Sequence, residues 1–108
     1  MSVRPPQSFT GAAPANSPLS ALEYELMAER ADSLGRAGLK VEAMLERLRL
    51  ASDEAREECL FDAAEAVQAL FVQREVCGLR VGRDVVARYG IPGAVLARLG
   101  VRRPARPA

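Results

Sequence analysis

The sequence contains no histidine and no tryptophan. The missing histidine removes the commonest general base, the Ser-His and Cys-His nucleophile pairs, and the zinc and di-iron sites built on imidazole. An enzyme is therefore not expected, and no catalytic, metal-binding or cofactor-binding residue is assigned. Aromatic residues make up only 5% of the chain, while Ala and Leu dominate. That composition favours helices packed closely through small side chains over a sheet. No stretch approaches the ~20 apolar residues of a membrane span, and residues 1–17 lack the apolar run of a signal peptide. The expected compartment is the cytoplasm, with no membrane partner. Cysteine is scarce as well: Cys59 and Cys77 fall in one expected helix, 18 residues apart. At ~1.5 Å per residue they stand roughly 27 Å apart, which excludes a disulfide between them. Both read as small apolar core residues.

What is present is a pattern of helices. A chain of 108 residues, 49% hydrophobic and 27% charged, suits a single soluble domain. Residues 1–17 carry Pro5, Pro6 and Pro14 without an apolar period, which predicts a disordered tail. Ser17 and Pro18 then supply an N-cap and a favourable first helical position. An apolar stripe begins at once with Leu19, Leu22 and Leu26 and continues through Leu34, Ala37, Val41, Met44, Leu45 and Leu48, so one long helix is expected over residues 18–51. Gly35 and Gly38 each cost a helix interior about 1 kcal/mol relative to Ala, which leaves a kink as the alternative. With Ala21, Ala28 and Ala31 they also line a face of small residues that lets another helix come close.

Ser52 caps a second expected helix, residues 53–77, whose first turns carry Asp53, Glu54, Glu57 and Glu58, as the helix dipole favours. Its core stripe is Cys59, Leu60, Ala63, Ala66, Val67, Leu70 and Phe71, and Gly78 is a good stop. A tight turn between Leu50 and Asp53 makes the pair an antiparallel hairpin. Two short helices, residues 82–89 and 93–99, follow around Gly90-Ile91-Pro92-Gly93. The expected fold is all-α: one helical domain over residues 18–100, then a basic disordered tail over residues 101–108.

The hairpin carries more apolar surface than it can hide. Phe61, Val72 and Val76 lie on a different side of the second helix from its core stripe, and Ala28, Ala31, Gly35 and Gly38 form the small-residue face of the first. These seven residues are the expected protein interface. The C-terminal module, a second protomer or both should cover them, and the expected assembly is a homodimer completing a four-helix arrangement.

Charge is segregated along the chain. Residues 19–77 hold seven Lys+Arg against thirteen Asp+Glu, whereas residues 78–108 hold seven Arg against Asp84 alone. The acids Glu54, Glu58, Asp62 and Glu65 fall on one ridge of the second helix; paired carboxylates can take a hard cation, but without histidine a solvated acidic face is the expectation. For the basic end there are two readings. Arg98, Arg102, Arg103 and Arg106 contact nucleic-acid phosphates, or the basic end neutralises the acidic hairpin close beside it. Residues 82–101 resemble a helix-turn-helix, with Val85-Val86, a turn at Gly90, Ile91, then Leu96 and Leu99. They depart from it where bases would be read, offering Pro92, Gly93, Ala94 and Ala97 with only Arg98 suited to the task.

Four segments, Leu22-Glu-Tyr-Glu-Leu26, Ser33-Leu-Gly-Arg-Ala-Gly38, Gln73-Arg-Glu-Val-Cys-Gly-Leu-Arg80 and Tyr89-Gly-Ile-Pro-Gly-Ala-Val-Leu-Ala-Arg-Leu-Gly100, resemble those of an uncharacterised family of small alphaproteobacterial proteins. The resemblance implies a bacterial cytoplasmic protein and carries no activity, ligand or functional residue. The expected function is that of a non-enzymatic interaction or regulatory protein, acting as a homodimer on a protein partner. The alternative is a nucleic-acid-binding regulator using the basic C-terminal module.

Overall fold

The computed structural model describes residues 18–105, and among them there are helices and no strands. The first helix, α1, runs unbroken from Pro18 to Arg49 over 32 residues. Gly35 and Gly38 therefore sit inside a continuous helix, and they do so for different reasons. A Cβ on Gly35 would meet nothing within 4 Å, whereas a Cβ on Gly38 would lie 2.6 Å from the Tyr89 hydroxyl oxygen. Gly38 is buried because the Tyr89 ring fills the space its missing side chain leaves. Of the two covers expected for the small-residue face, the C-terminal module or a second protomer, it is the C-terminal module that covers Gly38, through Tyr89.

The second helix, α2, spans Asp53–Val76. The Ser52 hydroxyl accepts a hydrogen bond from the Ala55 N–H at 3.3 Å, satisfying one of the orphan donors that every helix start exposes. Asp53 and Glu54 add the negative charge that suits this end. At the other end Gly78 turns left-handed with φ 76°. The Gly78 N–H donates to the Glu75 carbonyl at 3.0 Å and the Leu79 N–H to the Arg74 carbonyl at 2.8 Å, which together close the helix in a Schellman motif. The Arg74 guanidinium donates twice to the Arg80 carbonyl, at 2.9 and 3.1 Å, and pins the loop that follows.

Two short helices complete the fold, α3 at Arg83–Tyr89 and α4 at Gly93–Leu96. The first of them ends as α2 does: Gly90 has φ 65°, and the Ile91 N–H reaches back to the Val86 carbonyl at 3.0 Å. Ile91 is thereby turned into the core. The last helix is a single turn, shorter than the expected 93–99, since the chain beyond it continues in isolated turns to Gly100.

The core lies between α1 and α2 and is closed at one side by α3 and α4. Its members are Val41 and Leu48 of α1, Cys59, Leu60, Ala63, Ala64, Ala66, Val67 and Leu70 of α2, Val85 of α3, Ile91, and Val95 of α4. Leu70, Val41, Val67 and Val95 are essentially inaccessible, and burying a side chain of this kind stabilises a fold by about 1.5–3 kcal/mol.

One consequence of helix length shapes the molecule. α2 has 24 residues against 32 in α1, and it runs out opposite Arg30, where the Cys77 Sγ lies 3.9 Å from the Arg30 carbonyl oxygen. The twelve residues before that point, Pro18–Glu29, extend past the end of α2 as an arm, and all of them except half-buried Ser20 are exposed. Leu19, Leu22 and Leu26, expected as the beginning of the core stripe, are 62%, 52% and 44% exposed. The stripe continues along the helix, but the partner helix does not.

Candidate interaction surfaces

Two surfaces stand out. The first is the open end of the hairpin, where the arm meets the end of α2. Tyr24 and Met27 are still more exposed than the arm's leucines, at 75% and 68%. Val72, Val76 and Leu79 add exposed apolar side chains at the end of α2. Of the seven interface residues expected from the sequence, Ala28, Ala31 and Gly35 are exposed on α1, and Val72 and Val76 on α2. Gly38 and Phe61 are not available: the first lies under Tyr89, and the second is only 6% exposed.

Phe61 is covered by the second surface, an arginine clasp. The guanidinium carbons of Arg98 and Arg103 stand 5.5 and 5.8 Å from the centre of its ring, within the range where a cation is drawn to an aromatic face. Each arginine is also held by carboxylates of α2. Arg98 donates from Nε and Nη2 to Glu57 at 2.9–3.1 Å, and from Nη1 to the Ala94 carbonyl at 2.7 Å. Arg103 donates from Nη2 to Asp62 at 2.8 Å and to Glu65 at 3.0 Å. The other Asp62 oxygen faces Arg47 of α1 at 3.4 Å. Asp62 therefore joins α1, α2 and the C-terminal segment in one place. Its hydrogen bond raises the Arg103 pKa above the ordinary arginine value, against the opposing effect of partial burial and with help from the Glu65 charge.

This geometry revises two expectations. The acidic ridge is not simply solvated: Asp62 and Glu65 are ion-paired, and so is Glu57 one position to the side. Residues 101–105, expected as the start of a free basic tail, follow α2 through Arg103 because carboxylates at helical spacing meet them there. Of the four arginines considered for nucleic acid, Arg98 and Arg103 are engaged within the chain, Arg102 is exposed, and Arg106 lies outside the described residues. The candidate base reader is thus bound to Glu57, and the helix that would present it is one turn long. Among the described residues, no group of three or more Cys, Asp or Glu is placed to hold a metal ion. No helix there is long and apolar enough to cross a membrane.

Sequence reasoning missed the clasp as a unit. Its signal was the spacing of Glu57, Phe61 and Glu65 at i, i+4 and i+8, which puts an aromatic ring between two carboxylates on one helix face. It also missed the Tyr89–Gly38 contact, for which the chain offers no local sign.

A helical hairpin closed by a C-terminal clasp, with apolar side chains left open at one end, defines a small all-α protein. A family of unknown function, DUF6665, matches residues 1–106, and the chain belongs to it. No curated protein and no solved structure matches the chain.

Proposed function

We propose that this chain is a non-enzymatic protein-interaction protein whose working form is a homodimer. The observation that carries the reading is the open end of the hairpin, where Leu19, Leu22, Tyr24, Leu26, Met27, Val72, Val76 and Leu79 are exposed together. Single exposed apolar residues are ordinary, but a concentration of large ones at one end of a molecule marks an interaction surface. The arm supports the same reading through its backbone. A helical segment of this length without tertiary packing is marginal in water, so a neighbouring chain on its apolar side gives it a reason to exist. The nucleic-acid alternative draws less support, since the ion pairs of Arg98 and Arg103 compete with phosphate for the same donors.

Light scattering on the full chain after size exclusion, over a range of micromolar concentrations, tests the proposal. The expected mass is twice the 11.6 kDa of one chain. A constant monomer mass would overturn it. Anisotropy of labelled duplex DNA over a salt series is the companion measurement, and tight, salt-sensitive binding would promote the alternative.

A further inference from the structure

The arm has a pattern of its own. Projected at ~100° per residue, its large apolar side chains form two strips, Leu19/Leu22/Leu26 and Tyr24/Met27, roughly a third of the circumference apart. The two strips continue the two edges of the α2-facing seam of the hairpin, Tyr24/Met27 the edge of Leu34, Gly38 and Leu45, and Leu19/Leu22/Leu26 the edge of Ala37, Met44 and Leu48. From Leu34 onward that seam is covered by the rest of the chain, and before it the seam is bare. Between the two strips lie Glu23 and Arg30, one heptad apart and nearly in line along the helix. Glu25 and Asp32 fall on the opposite side.

An apolar surface with one acid and one base along its axis is its own complement when turned end for end. In an antiparallel pair each Glu23 meets the Arg30 of the other copy, so neither charge is stranded when the surrounding surface leaves water. A single helix from another protein would cover one strip and has no built-in answer to this charge pair. A second hairpin covers both, because its α2 end, which reaches Arg30 at the root of its own arm, presents the exposed Val72, Val76 and Leu79. Wider charge agrees: residues 18–33 carry Glu23, Glu25, Glu29 and Asp32 against Arg30, while residues 72–88 carry Arg74, Arg80, Arg83 and Arg88 against Glu75 and Asp84.

We propose that Pro18–Glu29, with Arg30 at its root, is the dimerisation element, pairing antiparallel with the same segment of a second copy about a two-fold axis beside Leu26 and Met27. The bare seam continues against the partner's arm, the leucine strip turns toward the partner's α2 end, and two reciprocal Glu23–Arg30 pairs set the register. This rests on the dimeric reading above and adds to it where the two copies meet and in which direction.

Sedimentation equilibrium on full-length variants provides the test, with thermal melts by circular dichroism confirming that the hairpin stays folded. Met27→Asp, outside the core, is expected to give a monomer. Glu23→Arg and Arg30→Glu each place like charges together and are expected to weaken dimerisation about tenfold or more, while the double exchange restores it to within about threefold of the parent. A parent dimer insensitive to Met27→Asp, or a double exchange no better than the single changes, overturns this arrangement and leaves the dimeric reading standing. A parent that is monomeric throughout overturns both.

Discussion

The two ends of α1 share one helix and one apolar rhythm, yet they live in different surroundings. From Leu34 to Leu48 the seam packs against α2, with Val41 inaccessible and Leu48 nearly so. From Leu19 to Met27 the side chains are just as apolar and stand in solvent. Hydrophobic pattern dictates that a face will be buried; what buries it depends on how far the next helix reaches. Gly78 ends α2 opposite Arg30, and that stop turns the first part of a continuous stripe into a surface.

The contrast is sharpest for large-to-small changes. Leu70→Ala should cost the fold about 2–5 kcal/mol, as a fully buried leucine does, whereas Leu22→Ala should change unfolding by no more than about 0.5 kcal/mol in dilute solution where the chain is monomeric. Urea denaturation of both variants checks this, and equal losses would mean that the arm packs within its own chain. The glycines give a smaller and more discriminating comparison. Gly35→Ala adds a methyl group into open space and should stabilise by up to about 1 kcal/mol. Gly38→Ala gains the same propensity but must displace the Tyr89 hydroxyl, so it should be the less stable of the two, with Tyr89→Phe recovering most of the difference.

At the other end of the molecule the clasp should respond to salt. Raising ionic strength screens the partly exposed pairs of Arg98 and Arg103, so Phe61 and the segment after Gly100 should become more accessible, read as faster proteolysis near Arg103. An unchanged cleavage rate up to molar salt would show that packing on Phe61, and not charge, holds the segment. The smallest effect belongs to the Glu46–Arg49 pair at the end of α1. Its hydrogen bond lowers the Glu46 pKa, with the Arg49 charge assisting. The folded value lies below the unfolded one, so the pair's contribution is present above the ordinary carboxylate value and is lost as pH falls through the folded value. Glu46→Gln should therefore destabilise slightly at neutral pH and not at all in strong acid, by urea midpoints at the two extremes.

Much of the fold was legible in the sequence because local chemistry and period agreed. Ser52 before Asp53 and Glu54 marked the start of α2, Gly78 its end, and the 3.6-residue stripe carried α1 straight through its two glycines. The surfaces were harder to read. Phe61 looked like an interface residue because its cover comes from Arg98 and Arg103, about forty positions away in sequence. Gly38 looked like a point of helix contact because nothing near it announces Tyr89. Leu19, Leu22 and Leu26 looked like core because periodicity reports which side of a helix is apolar and says nothing of where the opposing helix stops.

The claim that the arm is an element completed by a second copy is tested most directly by hydrogen–deuterium exchange as a function of protein concentration. Amides of α2 around Val67 and Leu70 should be protected at every concentration, while those of the arm between Leu22 and Met27 should exchange quickly in dilute solution and become protected as concentration rises through the dimerisation range. Arm amides that exchange at the same rate at all concentrations, fast or slow, would contradict it.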